Sequence, residues 1–257
     1  MSPKTWPVMG VRDGDGWVVN GEKAFCSGGT FADALTVTGL TADGRLGKWF
    51  FTPDTPGVTI HHNPEIGNGP EYASLTFDNM HVEPGWGGIS AVNTTDPDSA
   101  AHAAIGYKAF AVGCAALSLG CMTAAWDEAV EYLRNRDSLG KKVLEYGAIQ
   151  AKLVDMKARI EASRSLTYTA AHMIETYHKD APAWADMAKI VASNTASDVT
   201  EKCVEMFGCL GVNPDSGIMR HHLDAIAYSI GVGTPDLHYP CAAEGLGFPT
   251  SDDLNRC

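Results

Sequence analysis

Histidines are the side chains in this sequence best suited to move a proton or hold a metal ion. The nine histidines include the pairs His61-His62 and His221-His222 and also His238, which precedes a tyrosine. Neither H-x-x-x-H nor H-E-x-x-H occurs, so the spacing that places two imidazoles on one metal is lacking. We therefore predict no metal site, and we interpret His238 as a packing or surface residue.

The seven cysteines are scattered along the chain and include no C-x-x-C pair. Disulfide frameworks and zinc sites use tighter spacings, so we predict free thiols in a reducing compartment, the cytoplasm. No apolar run reaches the length of about 18 residues that spans a membrane.

The charge and size of the chain exclude some classes of partner. A net charge of −12 disfavours nucleic acid or an anionic membrane as the main partner. The 257 residues, 45% of them hydrophobic, can build one large domain or two ordinary ones.

The first 93 residues have the pattern of short strands joined by turns. Asn20-Gly21 follows a β-rich run and predicts a hairpin turn. Residues 75–78 alternate apolar and polar side chains, as a half-buried strand does. Several strands at this spacing predict a small antiparallel β-barrel or sandwich for a first domain, residues 1–93.

Residues 94–257 have a helical period instead. Ile149, Leu153, Met156 and Ile160 recur at steps of three and four residues, which places them on one helix face. This pattern and the positions of Pro and Gly predict four helices, roughly at Ala101–Arg136, Leu144–His178, Trp184–Phe207 and Ile218–Ile230. Short connections favour an antiparallel four-helix bundle, so the predicted fold class is α+β with two domains.

Four segments of the chain resemble the acyl-CoA dehydrogenase family. Gly16–Lys23 with Phe25–Gly29 is similar to the family's W-x-x-N-G-x-K-x-W-I-T-N-G stretch, and Arg136–Lys141 to its R-x-x-F-G-K. Val204–Gly211 is similar to Q-x-x-G-G-x-G, and Asp224–Thr234 to D-A-x-x-x-x-I-Y-E-G-T. These segments keep the family's order across its middle β-domain and its C-terminal helical domain.

The resemblance also implies that the family's N-terminal helical domain is missing. The T-E-P-x-x-G-S-D motif is not found, and only Ser2-Pro3 stands where its tail would be. We expect either that another chain supplies this part or that the protein is a truncated member with altered function.

The resemblance implies FAD as the cofactor, because hydride chemistry needs an electron sink that no side chain supplies. Phe25 and Ser27 stand where the family stacks an aromatic ring on the flavin and places a hydroxyl near its N5. Arg136 stands where the family's arginine reaches a neighbouring subunit's flavin diphosphate, with Ser138 as a second donor. Without the resemblance, Phe25 is a core aromatic and Arg136 a partner of the helix dipole.

Further cofactor positions implied by the resemblance are Glu205, Gly208, Thr234 and Asp236. Glu205 replaces the family's usual glutamine, and Cys209 replaces its second glycine. Because a carboxylate repels a diphosphate, this departure lowers the affinity expected for the adenine side of the flavin. Glu205 is explained equally well as a solvated helix residue.

Val232 stands where the family usually has the glutamate that removes the α-proton of an acyl thioester. Some members place this glutamate on the first bundle helix, and that position is Phe110. Neither side chain can accept a proton, so the catalytic base is unknown. Loss of a general base typically removes roughly 10²- to 10⁴-fold in rate.

Three functions remain compatible with the sequence. The leading hypothesis is an FAD-dependent oxidoreductase acting on an acyl thioester of CoA or of a carrier protein. The alternative is a non-catalytic accessory subunit of a heteromeric complex, which fits the replaced base. A third is flavin chemistry without α-proton abstraction, since fold alone does not select the reaction. Because Arg136 would act on a neighbour's cofactor, a homo- or hetero-oligomer is expected.

Overall fold

The computed structural model describes residues 7–63, 72–89 and 97–249. The described chain forms two compact units, which divide between Ala104 and Ile105. The boundary predicted between residues 93 and 94 lies outside the described residues.

The first unit is built on a seven-stranded sheet with the strand order β5-β6-β2-β1-β3-β4-β7. Strands β1 and β3 pair in parallel, and every other neighbouring pair is antiparallel. The bounds are β1 Val8–Asp13, β2 Gly16–Ser27, β3 Leu35–Thr41, β4 Leu46–Phe51, β5 Val58–His62, β6 Tyr72–Val82 and β7 Gly87–Ile89.

Aromatic side chains from separate parts of this sheet meet in one core. Phe51 of β4 and Phe77 of β6 contact edge to face at 5.3 Å, although three strands lie between them in the strand order. The sheet therefore folds over on itself as a sandwich does, and the predicted fold class is confirmed. The described strands do not close into a barrel.

The predicted hairpin turn at Asn20-Gly21 is wrong. Strand β2 runs through both residues, and its register against β6 shifts between Val19 and Gly21. Gly21 has φ +126, and a Cβ there would lie 1.9 Å from the Pro7 carbonyl oxygen. The glycine thus permits a bulge and not a turn. The chain reverses instead at Gly14, between β1 and β2.

The second unit is a helical bundle. The helices are α1 Pro97–Asn135, α2 Gly147–Glu175, α3 Ala181–Phe207, α4 Gly217–Ile230 and α5 Pro235–Gly245. The four predicted helices are present, and α5 is additional to them, in a segment where a proline at position 240 disfavours a helix. Pro240 instead lies inside α5, whose first turn also begins with a proline. A short hairpin of β8 Asp137–Ser138 and β9 Lys141–Lys142 follows α1.

Helices α1 to α4 share one hydrophobic core in which Met122, Met156, Val199 and Ile218 are fully buried. The Trp126 indole N–H on α1 donates to the Leu153 carbonyl on α2 at 2.9 Å. The Lys108–Asn135 part of α1 is long and apolar enough to cross a membrane by length and composition alone. Its buried face lines the bundle core, and a core helix of a soluble protein passes the same test.

The close contact between a glycine and the buried Trp49 indole generates a first prediction. A Cβ at Gly87 would lie 2.3 Å from Trp49 Cδ1, whereas a Cβ at the neighbouring Gly88 would have no atom within 4 Å. Gly87→Ala should therefore lower the free energy of unfolding of this unit by about 1–3 kcal/mol through overpacking. Gly88→Ala is the matched control and should change it by less than about 0.5 kcal/mol. Urea unfolding followed by near-UV circular dichroism measures both, and equal effects would contradict this packing.

Candidate functional site

A cavity of about 820 Å³ in the helical unit brings together four of the predicted cofactor residues. Arg136, Ser138, Glu205 and Gly208 all line it, although they come from two separate sequence motifs. Lys152, Asp155 and Lys202 line it as well. Arginine, lysine and hydroxyl donors around one cavity are the chemistry that recognises a phosphate or another anion.

Arg136 is held at the end of α1 by aromatic side chains. Its guanidinium donates to the Tyr132 hydroxyl at 2.8 Å and lies 5.4 Å from the centre of that ring. The Tyr132 ring stacks on Phe207 with centroids 4.1 Å apart. Among the described residues Arg136 has no carboxylate within ion-pair distance, so its charge stays available to a ligand.

Gly208 ends α3 with φ +62, a conformation that L side chains rarely adopt. A Cβ at this position would lie 3.9 Å from an Arg136 guanidinium nitrogen. The glycine therefore leaves the backbone beside Arg136 open to a ligand.

Ser138 is presented by the β8–β9 hairpin. Leu139 and Gly140 at its tip both have positive φ, and the Tyr146 hydroxyl donates to the Ser138 carbonyl at 2.8 Å. These contacts anchor the hairpin on the bundle, so the Ser138 position relative to Arg136 is set by local structure.

The electrostatics of the cavity are mixed. Glu205 lines the same cavity as Arg136 and forms no ion pair with another described residue. Its negative charge therefore repels an anionic ligand that Arg136 attracts. Lys202 is already paired with Asp198 at 2.7 Å. Partial burial works in the opposite direction, yet hydrogen bonds from Lys202 and Arg159 hold the pKa of Asp198 below its usual value. Lys152 has no such partner among the described residues and is the second available cation.

Phe25 and Ser27 lie in the other unit, near the end of β2. Phe25 has φ +51, its side chain is 57% exposed, and its ring contacts Tyr72 edge to face at 6.5 Å. A shift in the β2–β6 register between Lys23 and Cys26 turns this part of the strand outward. Phe25 is therefore not the core aromatic that the pattern alone indicates.

Of the two base positions, one lies in the turn between α4 and α5 and the other lies on α1. Val232 lies in this turn with φ +60, and its side chain is 42% exposed. A Cβ at the adjacent Gly231 would lie 3.6 Å from the Cys114 sulfur, one helical turn along α1 from the exposed Phe110. Thr234 is the N-cap residue of α5, and Asp236 lies in its first turn.

A buried charged network beside this turn was missed by the sequence analysis. His238 of α5 is only 5% exposed and contacts the Asp186 carboxylate on α3, where a surface or packing residue was expected. Lys108 of α1 donates to both oxygens of Asp186 at 2.9 Å. The signal was the pair Asp186 and Lys189 at helical spacing within an alanine-rich stretch, where charged side chains are forced into the core.

The network and the cavity lie far apart on α3. Asp186 is near its first residue and Glu205 near its last, so the helical rise separates them by about 28 Å. Within one copy of the chain, the turn with Val232 and the cavity with Arg136 therefore face different ends of the bundle.

The described cysteines are mostly free thiols, as predicted. Burial raises the pKa of Cys203 to about 12 and, together with the nearby Asp224, that of Cys121 to about 11, so both are poor nucleophiles. Cys209 in the altered glycine turn is free and exposed. The prediction is wrong for Cys241, which is disulfide-bonded.

Comparison with known proteins identifies the class to which this fold and these residues belong. Residues 103–247 match the model of the acyl-CoA dehydrogenase C-terminal domain. The match covers more than half of the sequence, and the chain belongs to the acyl-CoA dehydrogenase family. The resemblance seen in the four sequence segments is thereby confirmed.

Individual relatives agree with this assignment. Cyclohex-1-ene-1-carbonyl-CoA dehydrogenase of Geobacter metallireducens is 33% identical, over 93% of this chain and 63% of that protein. The 3-sulfinopropanoyl-CoA desulfinase of Paraburkholderia xenovorans is 29% identical, over 88% of this chain and 59% of that protein. The structure of butyryl-CoA dehydrogenase from Megasphaera elsdenii is 28% identical with a TM-score of 0.81, over 94% of this chain and 63% of that one. The chain thus spans less than two thirds of the length of these relatives.

The backbone at Val232 generates a second prediction. A β-branched residue is disfavoured at φ +60, whereas asparagine tolerates this conformation. Val232→Asn should raise the free energy of unfolding of the helical unit by about 1 kcal/mol. Val212→Asn is the matched control, because Val212 is 63% exposed and does not have positive φ. Thermal unfolding followed by far-UV circular dichroism measures both, and a gain in the control alone would contradict the assignment of strain to Val232.

Proposed function

We propose that this chain forms part of an FAD-dependent, acyl-CoA dehydrogenase-like oxidoreductase that acts on an acyl thioester. The observation that carries the proposal is the convergence of Arg136, Ser138, Glu205 and Gly208 on one cavity of the helical unit. Family membership supplies the chemistry, and the cavity supplies residues able to hold the cofactor's anionic part.

The residues present fit a flavin dinucleotide in composition. Arg136, Ser138 and Lys152 offer charged and neutral donors to a diphosphate, and Gly208 leaves room beside the guanidinium. Phe25 offers an exposed aromatic face, and Ser27 a hydroxyl, for the ring system. Thr234 and Asp236, at the start of α5, are proposed as further contacts. A bound flavin would supply the hydride acceptor that side chains lack.

The alternatives differ in whether this chain itself removes the α-proton. Val232 and Phe110 are both apolar and exposed, so neither base position offers a proton acceptor. The alternative proposal is therefore an accessory subunit that contributes cofactor contacts while a partner chain contributes the base. The relative named a desulfinase supports a further alternative, in which a family member carries out a different reaction on a CoA ester.

An oligomer is proposed because of the geometry along α3. The cavity includes Glu205 near the last residue of α3, whereas Asp186, which His238 contacts beside the turn, is about 28 Å away near the first. One copy therefore presents the cavity and the turn to different surroundings. A second copy of the chain would bring another copy's turn to this cavity. Neither nucleic acid nor a membrane is proposed as a partner, and the cytoplasm is proposed as the location.

The cavity residues generate a third prediction, which absorption spectra of the purified chain with added FAD can test. Arg136→Gln should weaken FAD binding by about 10- to 100-fold, because it removes a charge-assisted hydrogen bond. Arg134→Gln is the matched control, since Arg134 is paired with Glu131 and does not line the cavity. Glu205→Gln should strengthen binding, because it removes the opposing carboxylate. Absence of any flavin spectrum from folded protein in excess FAD would contradict the flavoprotein proposal and leave the accessory subunit.

Restoring a carboxylate at the turn generates a fourth prediction. In FAD-bound protein, Val232→Glu should raise the rate at which butyryl-CoA bleaches the flavin by roughly 10²- to 10⁴-fold, the usual contribution of a general base. Val232→Gln is the control, because it has the same length and cannot accept the proton. An equal gain in both variants would show that side-chain size and not basicity is responsible.

A further inference from the structure

The turn between α4 and α5 adopts a conformation that its own sequence does not favour. Val232 has φ +60 and is followed by Gly233 with φ +101. Valine is disfavoured in this region because its branched Cβ crowds the backbone. The single backbone hydrogen bond that closes the turn runs from the Gly233 amide to the Ile230 carbonyl at 3.2 Å. Contacts from other elements must therefore hold the turn in place.

On the α4 side, these contacts come from Lys189 of α3. Its ammonium group is fully buried and donates to the carbonyls of Tyr228 and Ser229 in the last turn of α4, the second at 3.1 Å. Burial lowers the pKa of Lys189, with nearby Cys114 acting in the opposite sense. A cation at a helix C-terminus is favoured by the unsatisfied carbonyls there, so Lys189 fixes where α4 ends.

On the α5 side, the contact comes from His238. Its Nε2 lies 3.2 Å from the Val232 carbonyl oxygen, and its Nδ1 lies 2.7 Å from the Asp186 carboxylate. Asp186 is fully buried and is contacted by the Lys108 ammonium at 2.9 Å on each oxygen. Asp186 and Lys189 are three residues apart on α3, so one helix face holds both sides of the turn.

The proton count of the imidazole follows from its two neighbours. The Val232 carbonyl and the ionised Asp186 carboxylate are both acceptors, so each contact needs an N–H from the ring. An imidazole carries two N–H groups only when it is protonated. The two positive charges of Lys108 and His238 then share one carboxylate.

We propose that Lys108, Asp186 and His238 form a positioning network that holds residue 232 at the site where the family meets the acyl thioester. The network acts through the backbone: protonated His238 donates to the Val232 carbonyl and so keeps the turn in its left-handed conformation. The significance of residue 232 rests on the proposed function, whereas the control of the turn by His238 does not. His238 is a positioning residue and not the missing base, because both ring nitrogens are occupied.

A purely structural explanation accounts poorly for this arrangement. Burying two cations and a carboxylate is costly, and apolar side chains of similar volume fill a helix interface at least as well. The alanines around Asp186 show that this face of α3 otherwise packs with small apolar side chains. The fully buried charged residues of α3 are Asp186 and Lys189, and both contact the elements on either side of the strained turn, which indicates a requirement specific to the turn.

The charged groups around His238 hold the ring from one side. Asp186 faces it from α3, Lys108 faces Asp186 from α1, and Asp236 lies two residues earlier on α5. Lys189 lies one helical turn from Asp186 and is engaged by α4. Replacing the imidazole by an apolar side chain removes the donor toward the Val232 carbonyl. The turn should therefore loosen in such a variant.

Hydrogen exchange at the Gly233 amide tests the network directly. Protection, corrected for intrinsic exchange, should be lower by about tenfold or more in His238→Leu than in the wild-type chain. His238→Gln keeps an uncharged donor toward Val232 and should stay protected. The Leu246 amide, which donates to the Ala242 carbonyl at the other end of α5, is the internal control for helix fraying.

The outcomes separate this proposal from the proposed function. Gly233 protection that is equal in the Leu and Gln variants would overturn the network. If His238→Leu does not fold, comparison of Gly233 protection in the Gln variant and in the wild-type chain still decides. In the Val232→Glu background, His238→Leu should lower kcat about tenfold with little change in KM, and His238→Gln should restore it. Inactivity of Val232→Glu itself would count against the proposed function and leave the exchange result standing.

Discussion

The burial of the first part of α3, residues 181–190, is the constraint on which the helical unit depends. Alanines along its length let the neighbouring helices approach closely, as at Gly245, where a Cβ would lie 2.7 Å from the Ala183 Cβ. Residues 181–190 include no exposed side chain, so this part of α3 has no solvent-facing side for its polar residues. Asp186 and Lys189 must therefore find partners inside the bundle, and those partners are the ends of α4 and α5 together with Lys108. The burial of this part of α3 therefore determines both the close packing of the neighbouring helices and the geometry of the α4–α5 turn.

The two ends of α3 differ in how their charges are satisfied. Near its start, every charged group in the network contacts a partner within the same chain. Near its end, Arg136 and Lys152 border an open cavity and have no carboxylate partner among the described residues. A protein that completes its own charges at one end and leaves cations available at the other is suited to bind an anion from outside at the second end. This asymmetry supports a cofactor contact at the cavity independently of the sequence motifs.

The parts of the fold that follow from local pattern were predictable. Long helical periods, glycine stops and alternating strands depend on neighbours within a few residues, so α1 to α4 and the β-rich first part are evident from sequence. The bulge at Gly21 and the helix through Pro240 were not, because each depends on contacts with other elements. The convergence of Arg136 and Gly208 was expected only by resemblance. The buried role of His238 was missed because its partners lie 52 and 6 residues away in the chain.

Val232 also has a consequence for how this chain can change over generations. Its backbone conformation is held by Lys189 and His238, which do not depend on the side chain at position 232. The turn therefore does not depend on the valine side chain, and an unbranched residue would fit it with less crowding. One base change in a valine codon yields glutamate or aspartate. The fold thus keeps a carboxylate at this position a single mutation away, and selection for the acidic residue would meet no structural barrier.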